Sequence, residues 1–523
     1  MKADTHIAPY FAKSITPVYG LNHLGLRNAA EDLFTTLLPG LNGVTQRVRY
    51  YSFYCWITGA FKDLYKGESR TEEAFRLFIR KSEILLALIQ ARRDAAVTGI
   101  PGITYALGTL ALGYHSFDLL KCVDRPENER RTKDTYWANP GGILRQYYSS
   151  SLKDLAILPA LQNKPTVSYP SNESDDLPEG TILGEDLGKA FYQSIGEETA
   201  ALFISCVMRS RVTLDEIDAM KGNMVMKGFG PIGYERDLLI NILNQKDFPA
   251  NENDERYLRR DTIHHFLKYC IEDRDSAGLK DSEQFPDVMY RKVLEGEATD
   301  DCSLGWYAYH INDRWQYHSS VIFACLLEIL QNNGGWVSVK SIAKQLADGM
   351  FKALVSEKNP SLGRVCDQID TGVIVPLDDF DSLEEEAASA MVSLLILYCE
   401  NRGHKDIINA YKNAFRDLRR NDFFSFMNEL DSLQEVSFLE FLEDYITQKI
   451  VYRHHTVSLI KYCATRVASN KFLLEDGYLR FLEQTECTAT APRIDSLIEY
   501  LTDLGLITKM YPTSDAIERY GLN

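Results

Sequence analysis

The stretch from Leu37 to Trp56, LLPGLNGVTQRVRYYSFYCW, constrains the fold more than any other part of the chain. A Pro39-Gly40 turn and the Asn42-Gly43 pair lead into a predicted helix from about Thr45 to Tyr65, whose first turns carry Arg47, Arg49 and five aromatic residues. Tyr50, Phe53, Tyr54, Ile57 and Phe61 fall at helical spacing on one side and Val48, Tyr51 and Cys55 on the other. A helix that is apolar on both sides is expected to be buried nearly all round. The competing reading is a ligand platform, with Arg47, Arg49, Tyr50 and Tyr51 offering guanidinium and ring faces to a nucleobase or phosphate. Under the core reading at least one of the two arginines must be buried against acid or carbonyl groups.

The rest of the chain narrows the class. At 523 residues it is too long for one hydrophobic core, and 45% hydrophobic with 25% charged residues is the composition of a globular protein. A net charge of −17 opposes indiscriminate binding to nucleic acid or anionic membrane, so any DNA contact must come from a local basic patch. The ten cysteines never come closer than 23 residues, which excludes CxxC spacing for redox or zinc chemistry. The longest apolar tract, Ile103 to Leu112, is too short to span a bilayer, and residues 1 to 20 lack an apolar signal core, so no membrane association and a cytoplasmic location are expected.

Periodicity predicts helices over Leu24 to Leu38, Thr71 to about Ala96, Tyr105 to Tyr114, Leu144 to Leu152, about Thr213 to Met220, Tyr234 to Gln245, Thr262 to Glu272, Tyr317 to Gln331, Ala387 to Cys399 and Phe423 to Leu433, with Ser338 to Leu354 and the acids from Asp378 to Glu386 separating the stretches at 317 and 387. Strands are scarce. The expected fold class is mainly α, a multidomain helical protein with a C-terminal winged-helix-like α+β unit. Its divisions are an N-terminal helical domain 1–161, a linker 162–188, a helical middle domain 189–300, a second helical domain 301–435 and a basic C-terminal domain 436–523.

Literal motif matches fail on context. Gly228 to Gly233 reads GxGxxG, but no full strand precedes it and Pro231 interrupts it. Gly184 to Ala190 is one residue short of a phosphate loop and ends in Ala where Mg²⁺ needs a hydroxyl. The acids between Asp378 and Glu386 are contiguous, as at a solvated helix N-terminus, and no HExxH, GxSxG or Cys/His pairing appears. No catalytic residue, metal ligand or cofactor is therefore assigned. The positive signal is electrostatic: from Asp444 to Glu475 no acid intervenes, while Lys449, Arg453, Lys461, Arg466 and Lys471 accumulate, with His454 and His455 titratable beside them. Phe472-Leu473-Leu474 and Tyr478 to Phe481 can pair as a hairpin, followed by a helix started by Pro492 and running to Leu504 and a short strand from Leu506 to Met510, a winged-helix-like layout. That last helix carries Asp495, Glu499 and Asp503, which do not favour DNA.

Residues 37–56, 139–158, 452–481 and 492–507 together resemble a family of uncharacterised bacterial proteins associated with mobile-element and phage-defence gene clusters. The resemblance implies work alongside other proteins of the same system and carries over no catalytic residue. The expected function is a non-catalytic component of a multiprotein defence system, recognising or excluding foreign DNA and contacting DNA or a protein partner through the basic patch. The alternatives are a sequence-specific DNA-binding regulator and a metal-dependent nuclease with dispersed ligands.

Overall fold

The computed structural model describes residues 22–123, 135–155, 157, 184–228, 233–244, 257–272, 284–416, 418 and 422–522. The charged loop 124–134, linker residues 162–183 and parts of 228–233, 246–303 and 416–420 lie outside the described residues. The fold is mainly helical. Strand among the described residues is confined to β1 (Ser116–Asp118), β2 (Arg211–Thr213), β3 (Trp336–Ser338), β4 (Phe472–Glu475), β5 (Tyr478–Phe481), β6 (Ile507–Thr508) and β7 (Tyr511–Pro512). No helix among the described residues is long and apolar enough to cross a membrane.

Contacts divide the chain into two discontinuous units, Thr35–Phe285 with Pro492–Asn523 and Met1–Phe34 with Pro286–Ala491. The linear division at 161, 188, 300 and 435 does not anticipate this. The cause is a return of the C-terminus: Arg47 and Tyr51 bind Glu499, Asp503 and Tyr500, which draws residues 492 onward into the same core as the aromatic helix. The predicted hairpin and the helix that follows it thus fall in different units.

In the first, aromatic unit, the central helix runs Arg49–Leu64 and is buried without a break from Arg49 to Thr58. It starts four residues later than predicted because Asn42 Oδ1 accepts the Val44 and Thr45 N–H groups at 3.0 and 2.8 Å, holding that segment as a turn. Helix Glu72–Arg93, capped by the Thr71 side chain, packs beside it, as does helix Gly184–Ile195. The latter begins inside the expected linker. Its Gly188 is fixed by close approach, since a Cβ there would meet the backbone of Cys55 and Trp56 at 3.0 to 3.1 Å. Gln90 grips the segment before the GxGxxG match, accepting the Met226 N–H at 3.2 Å and donating to the Met224 carbonyl. β1 and β2 pair antiparallel, and Thr213 with Glu216 forms the capping box that opens helix Leu214–Met220.

The second, hairpin unit is built on a 32-residue helix, Asp301–Asn332, of which periodicity identified only the second half. Its first half is buried on nearly every side from Cys302 to Asp313, so no polar stripe marks it. Helices Val339–Leu354 and Leu383–Asn401 pack on it. The acids before the latter do open a helix, with Ser382 accepting the Glu385 N–H at 3.2 Å. A bent helical stretch follows through Phe438–Asp444, a π segment Tyr445–Tyr452 and Arg453–Thr465. It feeds the hairpin β4–β5, to whose second strand β3 adds antiparallel, in the order β3-β5-β4. Phe472, Leu474, Leu479 and Val337 occupy one face by register; Trp336, Tyr478 and Arg480 occupy the other.

Candidate partner interface

The platform residues do not form an open site. Arg47 is wholly buried: Nη1 meets Glu499 at 2.5 Å and Asp503 at 3.0 Å, while Nε donates to the Thr98 carbonyl at 3.1 Å. Arg49, also buried, holds Glu235 through Nε at 3.0 Å and Nη2 at 2.9 Å, donates to Ser194 at 2.7 Å and lies 4.9 Å from the Phe191 ring centroid. Bidentate geometry plus further acceptors is what a buried guanidinium requires. Tyr51 shares a hydrogen bond of 2.8 Å with Tyr500, and Tyr50 stacks on Tyr148 at 5.3 Å. These four residues are core, with no face left for a nucleobase.

Two further acids in this core were not singled out from sequence. Glu83 accepts the Ile143 and Leu144 N–H groups at 3.1 and 2.9 Å and the Tyr54 hydroxyl at 3.0 Å, and also the Tyr136 hydroxyl. It caps the helical turn after Gly142 from another part of the chain, although burial still pushes its carboxyl above the ordinary range. Glu235 is the partner of Arg49. Each is saturated by donors from the core, which is a structural and not a catalytic arrangement.

The basic segment fares differently from its charge count. Lys449 pairs with Glu429 at 2.5 Å. Arg453 turns inward, donating to the Leu24 carbonyl at 2.5 Å with its guanidinium 6.0 Å from the Trp315 ring centroid, and burial lowers its pKa. His454 is fully buried, with Nδ1 donating to the His23 carbonyl at 3.0 Å and Nε2 accepting the Lys471 N–H at 3.0 Å. That tautomer is neutral, in keeping with a pKa that burial pushes down to about 3. His455 is partly exposed and its pKa is lowered by burial too. Lys461 donates to the Asn22 carbonyl, and Lys471, 9% exposed, pairs with Glu483 at 2.7 Å. Arg466 is exposed, in the left-handed conformation that ends the helix.

The structure therefore draws Arg453, His454, Lys461 and Lys471 into the packing of the hairpin unit and does not gather the seven predicted residues on one surface. What it exposes instead is apolar. On the same helical stretch Tyr452, Leu459 (37% exposed) and Ile460 (64% exposed) face solvent. On the outer sheet face Trp336 (49% exposed) stacks on Tyr478 (44% exposed) with centroids 5.9 Å apart and planes 18° apart. Arg480 is exposed on that face as well. Fold and surface thus define a mainly helical protein whose hairpin unit exposes apolar side chains both on helix Arg453–Thr465 and on the outer side of the sheet. No family model matches the chain, and no characterised protein or solved structure matches it either.

Proposed function

We propose that the protein is a non-catalytic component of a multiprotein system that recognises or excludes foreign DNA, and that it holds a protein partner through helix Arg453–Thr465 and the adjoining sheet. The observation that carries this reading is the inversion of that helix. Arg453 and Lys461 turn inward to carbonyl groups, while Tyr452, Leu459 and Ile460 face water. A helix that tracks phosphates has the opposite arrangement. Exposed aliphatic and aromatic side chains with little charge have the composition of an interface centre.

The order of elements supports a winged-helix-like reading of the hairpin unit. Helix Asp301–Asn332, β3 and helix Val339–Leu354 are followed, after an inserted set of helices, by helix Arg453–Thr465 and the hairpin, with β5 central. Such modules dock through the last helix and the wing. The resemblance to defence-associated proteins supports the kind of system. The second reading, a DNA-binding regulator, has exposed Arg466 and Arg480 in its favour, but Glu475 and Asp476 at the hairpin turn oppose phosphate.

The test uses the full chain purified from its native source, beside a Leu459→Glu/Ile460→Glu variant. Expected is a stoichiometric partner protein, retained at about 0.5 M salt because the contact is apolar, and lost from the variant while its melting is unchanged. Tight duplex binding by the full chain, with log affinity falling against log salt at a slope of about −3 to −5, would overturn this reading in favour of the regulator.

A further inference from the structure

In the aromatic unit, helices Arg49–Leu64, Gly184–Ile195 and Glu197–Arg209 enclose a cleft of about 530 Å³, a volume usual for small-molecule sites. Its walls are Trp56, Ala60, Ala200 and Ile204, and Leu64 and Tyr192 are exposed at its edge. Two glycines border it for different reasons. Gly188 allows the helices to touch, whereas a Cβ on Gly59 would meet nothing within 4 Å. Glycine within a helix is less stable than alanine, so packing does not require Gly59, which leaves open space at the cleft wall.

The rim is selective in charge. Lys189 is taken by Glu185 at 2.8 Å, and Lys62 also acts on Glu185, helping to hold its carboxyl below the ordinary range. Asp63 and Glu197, both exposed, have no ion pair or hydrogen bond among the described residues. We propose that this cleft binds a small amphipathic organic cation, its apolar body against Trp56 and the alanines and its ammonium group between Asp63 and Glu197. The ring of Tyr192 adds a face that favours a cation. The cleft lies wholly within one unit and does not depend on the partner proposed above.

The test is calorimetric titration of the full chain with 1-naphthylmethylammonium and with 1-naphthaleneacetate, which share an apolar body and differ in charge. Expected is preference for the cation by roughly ten-fold, about what two exposed carboxylates supply, and loss of that preference in Asp63→Asn/Glu197→Gln. Gly59→Phe, which fills the cleft from one wall, and Ala201→Trp, which fills it from another, should each weaken the cation at least ten-fold while melting as the parent does. Equal affinity for the two probes, binding of neither, or cation binding undiminished in both filled variants would overturn the proposal.

Discussion

Asp503→Asn probes the aromatic core most directly. The Asp503 side chain is 1% exposed; Oδ1 accepts Arg47 Nη1 at 3.0 Å and the Gly228 N–H at 3.2 Å, while Oδ2 has no hydrogen-bond partner among the described residues. Burial outweighs the arginine and raises the pKa from 3.8 to about 6, and the orphaned oxygen is where the proton would sit. A folded-state pKa above the unfolded one means the native state holds the proton more tightly. The resulting stability is fully present below about pH 4, is lost as pH rises through 6, and is absent above. Moving a carboxyl over that range corresponds to about 3 kcal/mol. Asparagine keeps the shape and a carbonyl acceptor but never ionises, and Arg47 retains Glu499 and the Thr98 carbonyl. Urea unfolding from pH 4 to 8 should therefore show the variant gaining on the parent by up to about 3 kcal/mol between pH 4 and 6.5, then a constant difference. A difference flat from pH 4 to 8, or a variant that loses ground as pH rises, would refute the reasoning.

Opposite behaviour is expected in the hairpin unit, where neutral buried His454 has its pKa pushed down to about 3. Its stability is present above pH 6.5 and lost on acidification, so hydrogen exchange near β4 should accelerate as pH falls from 6.5 towards 3, after correction for intrinsic rates. Arg49→Ala should destabilise the aromatic unit by about 3 to 5 kcal/mol by leaving Glu235 buried and unpaired, whereas Arg49→Met with Glu235→Leu should be far milder; denaturant midpoints of the three proteins decide. Gly188→Ala should cost about 1 to 3 kcal/mol because its Cβ meets backbone, while Gly59→Ala should stabilise by about 0.5 to 1 kcal/mol, both read from melting curves.

Much of the fold was legible where a single face is buried. Helix Ile494–Asp503 and the hairpin β4–β5 follow their periodicities to within a few residues. Arg49–Leu64, buried on all sides over its first turns, is placed by the Pro39-Gly40 and Asn42-Gly43 turns before it, whereas Val339–Leu354 reads in the sequence only as the stretch between two helices. The first half of Asp301–Asn332 was not legible because a helix buried all round has no period to detect. β3 was hidden for a different reason: three residues are too few for alternation, and their partner lies more than 130 residues away. The same distance problem concealed the two units, since nothing near Arg47 in sequence says that its acids arrive at Glu499 and Asp503. Those acids argued against DNA when read alone; in the structure they are the counter-charges of a buried arginine.

The basic segment holds the more general lesson, because its sequence contained the answer in a form that counting charge does not use. At about 100° per residue, Arg453, His454 and Lys461 fall on one side of a helix, and Tyr452, Leu459 and Cys463 fall on the other. A run of cations on one face can be a phosphate track only if that face is the wet one. Here the stems of Arg453 and Lys461 lie along packed surface and their heads end on the carbonyls of Leu24 and Asn22. His454, about 20° beyond Lys461 on the wheel, is the residue that decides the sense, since a histidine with both nitrogens engaged by backbone must be inside. Once that face is inside, Tyr452 and Leu459 on the opposite side have to be outside; Ile460, only about 20° from Arg453 on the wheel, is exposed as well. Of the five cations in that segment, Lys449, Arg453, Lys461 and Lys471 are engaged by acceptors within the hairpin unit, and Arg466 stays exposed.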